Sequence, residues 1–379
     1  MESEALSSPK VSVLIPAYNA ESTLEPALAS MLRQTFGDFE IVVVNDGSTD
    51  STAAILDSVA RRDPRVRVIG TPRGGIIHAL NTGIAECTGE LLARMDADDI
   101  SHSRRLEMQV ALMDARPEVS VCSSLVRMFP RAELLGGLVR YEQWLNSLVT
   151  HEQIARDIFV ESPLAHPSAM VRREELLEIG GYQDRGWAED YDLWLRYHVA
   201  GRQFAKVDST LLFWRTSEGR LTFTDPRYSV ENFLRAKAHY LARVAPSPRP
   251  SPPGEGDREI ILWGAGKTGR RLSKHLLREG VDFQAVIDID SAKIGRTLRG
   301  KPIVGVDYLS KACACFGISR DENCRIVQDR NPETAASIET SPVRPFIIAA
   351  VSSHGARALI REQLSELGLV ETDDFVCAA

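Results

Sequence analysis

Three carboxylates stand within four positions at Asp96-Ala97-Asp98-Asp99, directly behind the apolar run Leu91-Leu92-Ala93. Crowded carboxylates repel one another, so a cluster of this kind calls for a cation, a helix N-terminus or open water. If the run is a buried strand, the acids lie at its carboxyl end, where open α/β sheets bind ligands. Alternatively the cluster is a solvated turn, with Asp99 or Ser101 capping the helix that contains Arg104-Arg105-Leu106-Glu107-Met108. A second acidic group, Glu189-Asp190-Tyr191-Asp192, opens a segment whose apolar positions Tyr191, Trp194, Leu195 and Val199 have helical spacing. Glu189 and Asp190 then fall in a first helical turn, whose N–H groups favour negative charge and would keep Asp190 ionised. Two more polar stretches, Pro16-Ala17-Tyr18-Asn19 and Asn45-Asp46-Gly47-Ser48-Thr49-Asp50, also follow apolar runs. Each alone is turn chemistry. Three such stretches at strand ends of one α/β unit would converge along one sheet edge.

The elements that must position these groups alternate. Strands are expected at Val11–Ile15, Glu40–Val44, Val66–Ile69 and Glu90–Met95, with helices at Glu21–Gln34, Ser51–Arg61 and from Gly74-Gly75 to Cys87. That rhythm, with right-handed crossovers, predicts a doubly wound, mostly parallel sheet. Beyond Val119 the pattern is less regular. It suggests a strand within Val119–Val126, a loop and strand over Leu134–Arg140 and a helix over His151–Val160. A proline-punctuated loop then carries His166, and a helix ends at Gly180-Gly181. Strand Leu211–Trp214 and helix Tyr228–Arg243 complete a first domain over 1–244.

A proline-rich linker over 245–258 separates this from a smaller α/β domain over 259–379, with a flexible insertion expected near 313–344. There, strand Glu259–Trp263 runs into Gly264-Ala265-Gly266-Lys267-Thr268-Gly269, and the next strand ends at Asp288. Loop and acid together resemble a Rossmann-type dinucleotide fingerprint, which implies NAD(P) at Gly264, Gly266, Gly269 and Asp288. It is not a Walker loop, because Ile261 stands where that motif's first glycine would be. No catalytic residue is recognisable beside it.

Hydrophobic content of 44% and charged content of 26% suffice for sizeable cores, and a net charge of −7 argues against a nucleic-acid partner. Six scattered cysteines without paired spacing suit reduced thiols in a cytosol. The first ten residues contain no apolar signal-peptide core, and no apolar run is long enough to span a bilayer. The expected location is therefore cytoplasmic, free or peripheral at the inner face of the membrane.

Five motifs occur in order: Val13-Leu14-Ile15-Pro16-Ala17-Tyr18-Asn19, Val43-Val44-Asn45-Asp46-Gly47-Ser48-Thr49-Asp50, Asn81-x-Gly83, Met95-Asp96-Ala97-Asp98-Asp99 with Arg105-Leu106, and Glu189-Asp190-x-Asp192-Leu193. With them the first domain resembles the family 2 glycosyltransferases, inverting enzymes of the GT-A fold. The resemblance implies hexosyl or N-acetylhexosaminyl transfer from a nucleotide-sugar donor to a saccharide or lipid-linked acceptor in surface-polysaccharide or glycoconjugate synthesis. It implies Mg²⁺ or Mn²⁺ on Asp98, Asp96 on the donor side, and Pro16, Tyr18 and Asp46 around the base and ribose. Asp190 takes the position of the general base, Glu189 orients the site or binds acceptor, and His166 matches a recurrent position on the acceptor side. There are two departures. Many relatives carry Tyr/Trp-Arg-x-His with the His near the metal, whereas Trp214-Arg215-Thr216-Ser217-Glu218 holds none, leaving the third metal ligand unassigned. Ser103 replaces a proline common after the acids. Two rival functions stand beside this reading: a sugar-nucleotide oxidoreductase working through the C-terminal domain, and a nucleotide-sugar-binding protein without transfer activity.

Overall fold

The computed structural model describes residues 8–217, 219–245, 258–309, 344–353 and 355–379, together with the paired strands Ile318–Arg320 and Ile326–Gln328. Apart from their end residues and those two strands, the expected linker over 245–258 and insertion near 313–344 lie outside the described residues. The chain forms two compact units, Met1–Ala155 with Ser162–Tyr228, and Arg156–Glu161 with Ser229–Ala379.

Unit 1 is built on β1 (Val11–Ala17), β2 (Phe39–Asp46), β3 (Val66–Thr71), β4 (Leu91–Arg94), β5 (Ile100–Ser101), β6 (Val119–Phe129), β7 (Met170–Arg172) and β8 (Gln203–Arg215). They form one sheet in the order β3-β2-β1-β4-β7-β6-β8-β5. β1 to β4 run parallel, β7 opposes both β4 and β6, and β8 runs parallel to β6. Ala17 pairs with Asn45 and Leu14 with Arg94, so the chain leaves β1, β2 and β4 along one edge. β1 is buried throughout, as expected for a central strand covered on both faces. The covering helices include α1 (Leu24–Leu32), α2 (Thr52–Arg62), α3 (Ile76–Glu86) and α4 (Arg105–Ala115). Gly83 is where α3 lies closest to the sheet: a Cβ there would come 2.0 Å from Leu14 Cδ1.

Two local expectations are overturned. The Leu134–Arg140 stretch forms no strand but leads into α5 (Gly136–Ser147). The spacing of Leu138, Tyr141 and Leu145 is helical, and Glu142 accepts the Met128 N–H at 2.5 Å to seat the helix on β6. Neither Asp99 nor Ser101 caps α4. Arg104 holds that position without a side-chain bond, because Ile100 and Ser101 are drawn into β5 opposite Phe213 and Leu212. Unit 1 also contains α6 (beginning at His151 and ending, across the unit boundary, at Asp157), α7 (Arg173–Glu178), α8 (Glu189–Val199) and α9 (Leu221–Thr224).

In unit 2, α10 (Val230–Val244) packs with α11 (Lys267–Arg278), its Glu231 accepting from His275 Nε2 at 2.7 Å and Arg271 Nε at 3.0 Å. The helix therefore groups with the second unit, although its sequence position suggested the first domain. The sheet uses β9 (Ile260–Trp263), β10 (Ala285–Ile287), β11 (Thr297–Leu298), β12 (Lys301–Val304), β15 (Phe346–Ala349) and β16 (Phe375–Cys377), with β13 and β14 being the separate pair Ile318–Arg320 and Ile326–Gln328. Its order is β11-β12-β10-β9-β15-β16, and α12 (Ala356–Glu366) follows β15. β10 and β15 flank β9 in parallel, so the winding reverses at β9.

Candidate active site

The donor-side edge is assembled from turns tied to one another. Asn19, at φ 46°, accepts the Thr49 N–H at 2.9 Å, and its own N–H donates to Ser48 Oγ at 3.0 Å. Asp46 is buried at the end of β2 and accepts the Gly74 and Gly75 N–H groups at 2.7 and 2.9 Å, with Arg73 paired to the same carboxylate. The Arg73 guanidinium lies over Tyr18, 3.5 Å from the ring centroid, and Tyr18 is 44% exposed. Pro16 is buried within β1. Tyr18 and Asp46 are thus linked through the Arg73 guanidinium. Nothing local marks Arg73 beyond a basic residue before Gly-Gly.

Asp96, Asp98 and Asp99 each bring a carboxylate oxygen within 4.8 Å of the others. Burial and the neighbouring Asp96 push the Asp98 carboxyl up to about 6, and burial with both neighbours raises Asp99 well above the usual carboxylate range. Asp99 accepts the Arg215 N–H at 2.7 Å on one oxygen; the other is buried without a hydrogen-bond partner among the described residues. Arg215 Nε also donates to the Asp98 carbonyl oxygen at 2.7 Å, so β8 is bound to the acidic turn. Below the turn, fully buried Arg105 donates to the Arg94 carbonyl at 2.7 Å and to Gln109 at 3.0 Å. Arg105 thus serves the backbone of β4 rather than substrate.

On the other side, Asp190 sits in the first turn of α8 and accepts the Tyr191 N–H at 2.7 Å. The helix end does not keep it at an ordinary carboxylate pKa. Burial, followed by the charge of Glu189, pushes Asp190 up to about 7, outweighing the backbone N–H groups. Glu189 is itself buried, and burial raises it despite the Tyr228 hydroxyl at 2.7 Å and Arg227 at 3.7 Å. Asp192 faces inward, accepting Trp187 Nε1 at 2.9 Å and Arg196 Nε at 2.8 Å. Arg196 continues to the carbonyls of Ile179 and Gly181, which fixes the loop before α8.

His166 is buried, with Nε2 2.6 Å from the Tyr182 hydroxyl and its ring edge-on to Trp194. Burial, then Arg94, hold it well below the ordinary histidine value, so it is a neutral support for the 182 loop. Asn81 supports the same loop, its carboxamide bonding the Tyr182 N–H at 3.0 Å and carbonyl at 2.8 Å.

Arg94 has no role legible in the sequence, because it stands inside an apolar strand. Its buried guanidinium pairs with Asp96, and its charge also draws down Asp98, Glu189 and Asp190. Burial opposes that charge, yet the surrounding acids more than offset the cost and raise its pKa. One buried cation therefore faces both carboxylate groups.

In unit 2 a cavity of about 470 Å³ opens at the carboxyl ends of β9, β10 and β15, bordered by Gly264, Gly266, Lys267, Asp288 and Ser352. Gly264 has φ +120°, and a Cβ on Gly269 would lie 1.7 Å from the Gly264 carbonyl oxygen, so both are sterically required. Gly269 packs behind the turn and does not line the cavity. Asp288 is engaged from several sides, by the Ala265 N–H at 2.8 Å, the Asp290 N–H at 2.9 Å and Lys293 at 3.2 Å. Among the described residues, no Tyr, His, Cys or Glu lines the space.

Residues 12–180 match the family model described as Glycosyl transferase family 2. Over 204 residues the chain is 34% identical to the amylovoran biosynthesis glycosyltransferase AmsE of Erwinia amylovora, covering 53% of this chain and 74% of that protein. It is 31% identical over 193 residues to an uncharacterized glycosyltransferase of Haemophilus influenzae, covering 49% of this chain and 59% of that relative, less than two thirds of its length. Among solved structures, S. aureus TarS 1-349 in complex with UDP-GlcNAc superposes with a TM-score of 0.52 at 21% identity, over 63% of this chain and 68% of that one. The likeness is one of fold, the large, mostly parallel sheet of the GT-A type.

Proposed function

Since the chain belongs to glycosyl transferase family 2, we propose that unit 1 moves a hexosyl or N-acetylhexosaminyl group from a nucleotide-sugar to a saccharide or lipid-linked acceptor, with inversion, in polysaccharide or glycoconjugate synthesis. The observation that carries this reading is the pair of carboxylate groups, Asp96-Asp98-Asp99 and Glu189-Asp190, facing the buried guanidinium of Arg94.

The acid cluster fits a divalent cation. Three carboxylates are crowded within 4.8 Å, one buried Asp99 oxygen has no hydrogen-bond partner among the described residues, and Asp98 is raised by burial and like charge. An all-oxygen set suits Mg²⁺ or Mn²⁺, with Asp98 as principal ligand, Asp96 beside it toward the donor, and Asp99 as the third acid where relatives use His. When bound, such an ion supplies positive charge against the departing nucleoside diphosphate.

The chain's own residues supply the rest. Pro16, Tyr18 and Asp46 form the wall for the base and ribose, Asp46 acting chiefly by fixing Arg73, Gly74 and Gly75. As the acceptor oxygen bonds to the anomeric carbon, the bond to the diphosphate oxygen breaks and the leaving group takes the electron pair. Asp190 accepts the hydroxyl proton. Glu189 holds Tyr228 and Arg227 beside it on the acceptor side. No helix among the described residues is long and apolar enough to cross a membrane.

For unit 2 we take Gly264, Gly266 and Asp288 as part of a small-ligand site, with Gly269 buttressing the turn. Saturable NADH fluorescence would support NAD(P) as the ligand of this site, and its lack would remove that reading. The transferase reading is tested by following nucleotide release from a panel of UDP- and GDP-sugars with Mn²⁺ and with EDTA. Release that needs the metal is expected. Release indifferent to EDTA would refute the metal-dependent mechanism, and binding without turnover across the panel would favour the inactive-module alternative.

A further inference from the structure

The segment after β8 reaches both halves of the site. Arg215 is bonded to Asp98 and Asp99 at its start, and Arg227 and Tyr228 hold Glu189 at its end. Between them Arg220, half-buried, lays its guanidinium over Trp214, 4.4 Å from the ring centroid. Trp214 immediately precedes Arg215, whose N–H and Nε bind the Asp99 carboxylate and the Asp98 carbonyl, so the stacked guanidinium is tethered to the residue that holds the acidic turn. The indole, rather than an ion pair among the described residues, holds this side chain.

A stacked guanidinium stays planar, charged and weakly hydrated, which suits bidentate binding of phosphate oxygens. Here that cation faces the acidic turn on the very segment that lacks the expected histidine. We propose that Arg220 is a donor-binding residue, whose guanidinium takes the diphosphate of the nucleotide-sugar and steadies the charge gathering on the leaving nucleoside diphosphate. The proposal rests on the transferase reading above. Arg220 thus recognises the second phosphate, and Trp214 sets its plane. Because the same segment carries Arg227 and Tyr228, the diphosphate is sensed by the strand of chain that also holds Glu189.

Calorimetric titration of the full chain with UDP, GDP, UMP and GMP in Mn²⁺ tests this on wild type, Arg220→Met and Arg220→Lys. Arg220→Met should bind the preferred diphosphate about 10- to 100-fold more weakly, as for loss of a charge-assisted pair, with its monophosphate within about twofold of wild type. Arg220→Lys should fall between, keeping charge but not the planar fork. An unchanged melting temperature shows that the fold is intact. Equal diphosphate affinity in Arg220→Met overturns the proposal alone, as does an equal loss for mono- and diphosphates. A wild-type chain that binds none of the four nucleotides overturns the transferase reading and this proposal with it.

Discussion

Removing the charge beside Asp190 should move the pH dependence of transfer toward acid. Asp190 is pushed up to about 7 by burial and by Glu189, so the proton-accepting form grows in as pH rises through neutrality. One pH unit below the midpoint only about a tenth of the base is ionised, so the rate at pH 6 should be about one tenth of its alkaline plateau. In Glu189→Gln the neighbouring charge is gone, which favours ionised Asp190, while Arg227 keeps its pair with Asp225 at 2.7 Å. Two carboxylates about 6 Å apart at an effective dielectric constant of about 20 interact by roughly 3 kcal/mol, an upper bound of about two pKa units. An acid shift of about one unit or more is therefore expected. The assay is the initial rate of nucleotide release from pH 5 to 9 at saturating donor and fixed Mn²⁺, for both proteins. A wild-type profile flat over that range, or a midpoint that moves toward alkali in Glu189→Gln, would refute the assignment of Asp190 and the origin of its raised pKa.

Other consequences concern the frame. Asp192→Ala strips the buried acid from Arg196 and Trp187 and should destabilise unit 1 by about 3 kcal/mol, read from the denaturant midpoint at constant slope. Gly83→Ala gains about 1 kcal/mol in helix propensity but puts a methyl 2.0 Å from Leu14, an overpacking cost of about 1–3 kcal/mol. A net fall in melting temperature is expected; a rise would mean that α3 can move off β1. With EDTA present, the raised acids Asp98 and Asp190 contribute stability below about pH 4 that is lost as pH rises through about 6 to 7. The melting temperature should fall over that window, and Mn²⁺ should reduce the fall.

Much of unit 1 was legible because its signals are local. Apolar runs gave β1, β2 and β4, and the polar stretches behind them emerge on the shared edge that parallel pairing requires. Helical spacing set Asp190 at the start of α8. The relations carried by long-range packing were hidden. Arg94 looks anomalous in an apolar strand until the distant acids at the start of α8 are brought to it beside those of the adjoining turn. Asp99 looked like a cap because nothing local shows that β8 will take it through the Arg215 N–H. His166 and Asn81 sit among motif residues, but their partner Tyr182 lies in a loop whose position only the tertiary fold defines. The raised pKa of Asp190 has the same origin, since burial is not a property of the first helical turn. In unit 2 the glycine spacing was readable and reflects steric necessity at Gly264 and Gly269, whereas the engagement of Asp288 by Ala265 and Lys293 was not.

The central claim is that Asp190 takes the acceptor proton while separate residues hold the donor. The most direct measurement compares wild type and Asp190→Asn for donor affinity and for nucleotide release with the donor that the sugar panel selects. Donor affinity should stay within about twofold, while turnover falls by about 10²- to 10⁴-fold, the usual loss of a positioned base. Turnover at the wild-type level in Asp190→Asn would contradict the account.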